Sequence, residues 1–152
     1  MKGKSEAKGD SGNSLESKWG KVTLSRGWIG VPNVLVEQQR ALGITPIDVS
    51  ILLVLMKYWW DPASPPYPSK RVISEMLGRE ESTIRKRMAE LEKKGLITRD
   101  YRFMSLGGQT SNRYVMDGLM EKLEAHSKML NELEDKREQE DASIRRGAKK
   151  IA

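Results

Sequence analysis

The stretch Ser69–Ile97, SKRVISEMLGREESTIRKRMAELEKKGLI, constrains the fold of this chain more than any other. Ser69 follows Pro68 and offers a side-chain oxygen to the orphan amides of a first helical turn. Ile73 and Leu77 recur at helical spacing, and small Ser74 leaves room for a second helix to approach. Gly78 stands where the backbone must reverse, because glycine takes a left-handed conformation without steric cost. Beyond the turn at Leu77-Gly78-Arg79, Ile84, Met88 and Leu91 fall on one face of a second helix, which Gly95 closes. The other face of that helix carries Glu81, Ser82, Arg85 and Lys86, with Arg87 nearer the flank.

Leu96 to Arg102 and Ser111 to Met116 then alternate with the period of a strand, and Gly107-Gly108 between them is a hairpin signal. The order is helix, turn, helix, strand, glycine loop, strand. On LGxxxSTIRKRMAELEKKGLI, joined to the loop GGQTSNRY, the chain resembles bacterial and phage winged helix-turn-helix proteins from about Val22 to Leu119. The resemblance implies a mainly α fold with a small β-hairpin wing, whose second helix lies in the major groove of double-stranded DNA. Under that expectation Glu81, Ser82 and Thr83 lie closest to base edges, and Arg85 and Lys86 reach guanine acceptors or phosphates. Glu81 can accept from a cytosine amino group, or simply sit well at the positive end of its helix. Ser69, Arg71, Arg87, Lys93 and Lys94 are candidates for the phosphate backbone, with capping the ordinary use of Ser69. The wing candidates are Arg102, Gln109, Thr110, Ser111 and Arg113; Phe103 and Leu106 pack on the domain or wedge into a groove.

Charge agrees with a polyanionic partner. The net charge is +6, and its distribution says more than its sum. Tyr67 to Met116 holds 11 Lys or Arg against 6 Asp or Glu, whereas Asp117 to Ser143 holds 4 against 9. Arg145, Arg146, Lys149 and Lys150 then make the last residues basic.

Four segments follow from the pattern. Residues 1–19 are rich in Gly, Ser, Lys and Glu and bury too little to offset the cost of ordering, so disorder is expected. Residues 20–117 make the winged domain. In it, Lys21 to Leu24 and Trp28-Ile29 read as a strand or extended lead-in, and Pro32 opens a helix that Gly43 closes. Thr45, Pro46 and Asp48 start an apolar central helix running to Trp59 and Trp60. Tyr58, Trp59 and Trp60 read as core or core edge, with a base-stacking platform as the functional alternative. Asp61 to Tyr67 is a proline-rich connection.

Residues 118–143 form a C-terminal helix, and residues 144–152 a basic flexible tail. On that helix Leu119, Leu123, His126, Leu130 and Leu133 make a heptad-like seam that meets Arg137 and Glu140. The seam serves either packing on the domain or homodimerisation through Leu119, Leu123, Leu130 and Leu133, with helices parallel or antiparallel. His126 reads as a packing residue.

Among functions, a sequence-specific regulator of transcription comes first. An apolar helix ending in aromatics before the wing unit also resembles the amino-terminal domains of phage and plasmid replication initiators, which implies origin binding and replication partners. A winged helix used only for protein contact is the third possibility. With one His and no Cys there is no nucleophile–base pair or metal cage, so neither an enzyme nor a cofactor is expected. The most apolar run, Ile51 to Trp60, falls far short of the ~20 residues that span a bilayer, and a cytoplasmic, nucleoid-associated protein is expected.

Overall fold

Local capping and one apolar helix position everything that follows. The computed structural model describes residues 14–101, 107 and 112–151. Its elements are α1 (residues 14–19), α2 (Lys21–Leu24), α3 (Asn33–Glu37), α4 (Gln39–Leu42), α5 (Pro46–Lys57), α6 (Lys70–Leu77), α7 (Glu81–Lys93), β1 (Thr98–Asp100), β2 (Arg113–Val115) and α8 (Asp117–Ile151). This is a mostly α-helical fold with a two-stranded hairpin and a long C-terminal helix, as the sequence implies.

The chain divides into two compact units, Met1–Gly30 and Val31–Ala152. In the first, residues 14–19 are helical where disorder was expected, and Lys21–Leu24 is a helical turn where a short strand or extended lead-in was expected. Four residues are too few to separate a period of 2 from one of 3.6, so alternation misleads there. No residue of α2 is buried; its order rests on local bonds such as Ser25 Oγ donating to the Val22 carbonyl at 2.6 Å.

In the second unit, α5 is the centre. Thr45 Oγ1 accepts from the Asp48 amide at 3.3 Å while Asp48 Oδ2 accepts from the Thr45 amide at 2.8 Å, a reciprocal cap with Pro46 in the first turn. Ile51, Leu52, Val54 and Leu55 are buried, and α6 and α7 pack against this helix. The helix stops at Lys57 rather than running on through the tryptophans. Trp59 packs on the core and Trp60 is 83% exposed. The helix opened by Pro32 breaks at Gln38 into α3 and α4.

Ser69 caps α6 by accepting from the Val72 amide at 3.1 Å, and Gly78 ends it with φ of 61°. The turn is fixed further by Ser74, whose hydroxyl donates to the Arg79 carbonyl. Ile84, Met88 and Leu91 bury the inner face of α7 against Ile73, Leu52 and Leu55 in a continuous core. β1 and β2 are antiparallel, pairing Arg99 with Tyr114 and Asp100 with Arg113. Pro66, fully buried in the connecting loop, accepts from the Tyr114 amide at 2.9 Å and ties the loop to β2.

α8 leaves the hairpin through a close contact. The Leu119 amide donates to the Leu96 carbonyl at 2.9 Å, and a Cβ at Gly118 would lie 1.9 Å from the Gly95 carbonyl oxygen. Leu119 and Leu123 are buried in this core, so they are taken out of the expected dimerisation seam. Leu130 is half-buried, and every described residue from Asn131 to Ile151 is exposed. The helix also replaces the flexible tail expected from residue 144 onward, continuing to Ile151. No proline interrupts this stretch, and Asp141 precedes Arg145 by one helical repeat of four, the favourable order for an ion pair along a helix.

Candidate nucleic-acid interface

The buried face of α7 fixes what its opposite face can do. With Ile84, Met88 and Leu91 anchored, Glu81, Ser82, Arg85 and Lys86 stand exposed together, and Thr83 is half-buried beside them. The four exposed positions follow the i, i+1, i+4, i+5 spacing of one helical face. Among the described residues, neither Arg85 nor Lys86 forms an ion pair within 4.0 Å, and the first turn of α7 has no side-chain cap from Glu80. Two cations and a first turn without a side-chain cap thus share one exposed face.

Arg87 takes another role. Its Nε donates to Asp48 Oδ1 at 2.8 Å and its Nη2 to Oδ2 at 2.7 Å, a bidentate pair with a fully buried carboxylate. Burial pushes the Asp48 carboxyl up, but the Arg87 hydrogen bonds, the Thr45 amide and hydroxyl, and the Arg87 charge outweigh it and hold the pKa below the usual range. The same bonds raise the Arg87 guanidinium above its ordinary value. Arg87 therefore locks α7 onto the start of α5, which corrects its expected place on phosphate. Lys94 is likewise turned inward, its ammonium donating to the Gly43 carbonyl across the α4–α5 junction.

The remaining candidates divide. Ser69 has its hydroxyl oxygen on the Val72 amide. Arg71 is exposed and pairs with Glu75 at 3.0 Å along α6. Arg113 is exposed on β2 and pairs with Asp100 across the hairpin at 3.1 Å, while Tyr114 and Met116 point inward. Arg102, Gln109, Thr110 and Ser111, like Phe103 and Leu106, lie outside the described residues.

Two cations were missed. Lys70 begins α6, and Arg99 sits on β1 with its Nη2 3.3 Å from Glu92 Oε2 of α7. Burial lowers the Lys70 pKa, and the positive charges of Arg99 and then Arg85 lower it further, against a smaller opposing effect of Glu92. Arg99 Nε is buried and carries no hydrogen bond. Three cations thus gather where the start of α6, the exposed face of α7 and β1 meet, with one carboxylate among them. Both missed residues break a local rule visible in the sequence. A lysine in the first turn opposes the helix dipole, and an arginine occupies the inward position of a strand.

Residues 42–97 match the family described as a helix-turn-helix domain. The N-terminal domain of the DnaD protein from Geobacillus kaustophilus superposes with a TM-score of 0.56 at 19% identity, covering 81% of this chain and 96% of that one. A possible transcriptional regulator from Methanosarcina mazei gives 0.45 at 17% identity, with 71% and 82% of the two chains covered. S. aureus MepR in its DNA complex gives 0.43 at 19% identity, with 79% and 90% covered. No curated protein matches the sequence. The chain carries a winged helix-turn-helix domain, a fold it shares with the DnaD N-terminal domain. No described helix is long and apolar enough to cross a membrane.

Proposed function

We propose that the Val31–Ala152 unit is a sequence-specific double-stranded DNA-binding protein that regulates transcription, with α7 in the major groove. The observation that carries this reading is the exposed face of Glu81, Ser82, Arg85 and Lys86, whose two cations form no ion pair among the described residues and are flanked by Lys70 and Arg99. Arg85 and Lys86 read base edges, and Lys70, Arg71, Arg99 and Arg113 contact phosphates. Arg102, Gln109, Thr110 and Ser111 extend that contact through the wing. A second copy of the chain, recruited through α8, is the proposed protein partner.

Fluorescence anisotropy against a random duplex across a salt series tests the reading. A linear fall of log affinity with log salt is expected, its slope counting the phosphates neutralised. Absence of binding at low salt would overturn it. Selection from a random library then separates the roles: a single operator-like site supports regulation, whereas arrays of repeated sites would move the protein to the origin-binding class.

A further inference from the structure

α8 projects about 30 Å beyond Leu130 at 1.5 Å per residue, with no described residue there buried. Most helical stability in proteins comes from packing an amphipathic face, and among the described residues this segment packs on nothing. Its side chains nevertheless keep a register. The spacing of four and three that passes through Leu123, His126, Leu130 and Leu133 continues through Arg137, Glu140, Ile144, Gly147 and Ile151. Leu133 is 44% exposed and Ile144 68% exposed along that line. Lys136, Gln139, Glu140, Ser143 and Ile144 line an open depression beside it, the i, i+3, i+4, i+7 shape that receives a side chain from a facing helix.

We propose that α8 pairs with α8 of a second copy in antiparallel orientation, centred between Glu138 and Gln139, so that Leu133 meets the partner's Ile144 and Arg137 meets the partner's Glu140. This rests on the reading of a second copy as the partner of α8, and adds its direction and register. The polar pair at the middle of the seam decides the direction. In parallel helices Arg137 would face its own copy and so would Glu140, two like-charge contacts at the closest positions. Antiparallel helices turn the same residues into two Arg–Glu contacts, and Arg137 reaches the depression beside Glu140.

The charge blocks agree. Antiparallel pairing sets Glu132 level with the partner's Arg145 and one residue from its Arg146, whereas parallel pairing lays Arg145, Arg146, Lys149 and Lys150 beside their own copies. A parallel pair would gain a contact from Lys136 to the partner's Asp141, and an antiparallel pair places Glu134 near the partner's Asp141. Both of these lie at the solvent-exposed flank, where screening makes them weaker than the contacts on the seam. Shifting the antiparallel register one heptad toward the C-terminus would put Glu140 against the partner's Ile144 and Arg137 against the partner's Gly147, losing both charge pairs.

The absence of cysteine from the chain makes the test clean. Full-length Leu133→Cys and Ile144→Cys proteins, both substituted at exposed positions, are mixed and equilibrated in a glutathione redox buffer. Their mass in solution is measured in parallel by light scattering. A dimer that yields the mixed 133–144 disulfide, with little 133–133 product, is the expected result. A dimer that yields mainly the 133–133 disulfide overturns the direction but keeps a second copy as partner. A dimer without either disulfide overturns the register, and a monomer at all concentrations overturns both the inference and the partner on which it rests.

Discussion

At the scale of single residues, two arginines two positions apart on α7 have opposite duties. Arg87 serves stability. Its removal leaves the buried Asp48 carboxylate without its charged partner, and Arg87→Ala should destabilise the domain by about 3–5 kcal/mol in urea unfolding at neutral pH. The pH dependence has a definite sign. The Asp48 pKa is depressed in the folded state, so its contribution is present above the unfolded value of ~3.9 and is lost as pH falls through the lower folded value. The gap between Arg87→Ala and the unaltered protein should therefore narrow in unfolding experiments below that value. Arg85, exposed on the other side of the helix, serves recognition in the proposed function. Arg85→Ala should leave the unfolding midpoint unchanged yet weaken the preferred DNA site by about 1–3 kcal/mol and relax preference at one base pair. Lys70→Ala should instead weaken all sequences alike and lower the salt slope by about 1, both read by anisotropy.

At the scale of elements, the starts of α5 and α6 and the turn from α6 into α7 were legible because they rest on local chemistry: the Thr45–Asp48 cap, the Ser69 cap and the left-handed Gly78; the stop of α5 at Lys57 was not. The exposed face of α7 was legible for the same reason, since three buried apolar residues fix the rotation of a helix. What a period cannot give is the identity of the neighbour. Arg87 lies at the border of two faces, and its partner stands 39 residues away at a position that reads simply as a favourable first-turn acid. Leu119 and Leu123 continue the spacing of Leu130 and Leu133, yet the first two fill the core of their own chain and the last is exposed. Gly118 is a further case: nothing near it in the sequence signals that the Gly95 carbonyl passes where its Cβ would be. Gly118→Ala should push the start of α8 off the α7–β1 junction and lower the melting temperature, whereas Gly147→Ala, which meets nothing within 4 Å, should hold or raise it. Comparable melting curves for the two variants would show that the α8 junction yields more easily than this contact implies.

At the scale of the whole molecule, the proposed pairing of α8 would set how two reading helices meet DNA. A twofold axis between Glu138 and Gln139 sets the two His126 residues about 38 Å apart along the paired helices, at 1.5 Å per residue. His126 is where α8 leaves its own domain, through a 3.1 Å hydrogen bond between Nδ1 and Gln38 Oε1. The separation is of the order of one turn of DNA, roughly 34–36 Å, and a twofold dimer reads inverted half-sites. The preferred site should accordingly hold two separated half-sites rather than one continuous element. A chain ending at Leu130 keeps the buried Leu119 and Leu123 and removes, among the described residues, only exposed ones, so its unfolding transition should be little changed. Its affinity for the two-half-site duplex should fall toward that for a single half-site, because the second domain is no longer held at high effective concentration. Anisotropy titrations of both chains on one-half-site and two-half-site duplexes measure the difference directly. Equal ratios for the two chains would mean that α8 does not couple the domains on DNA, and that each winged domain reads its site alone.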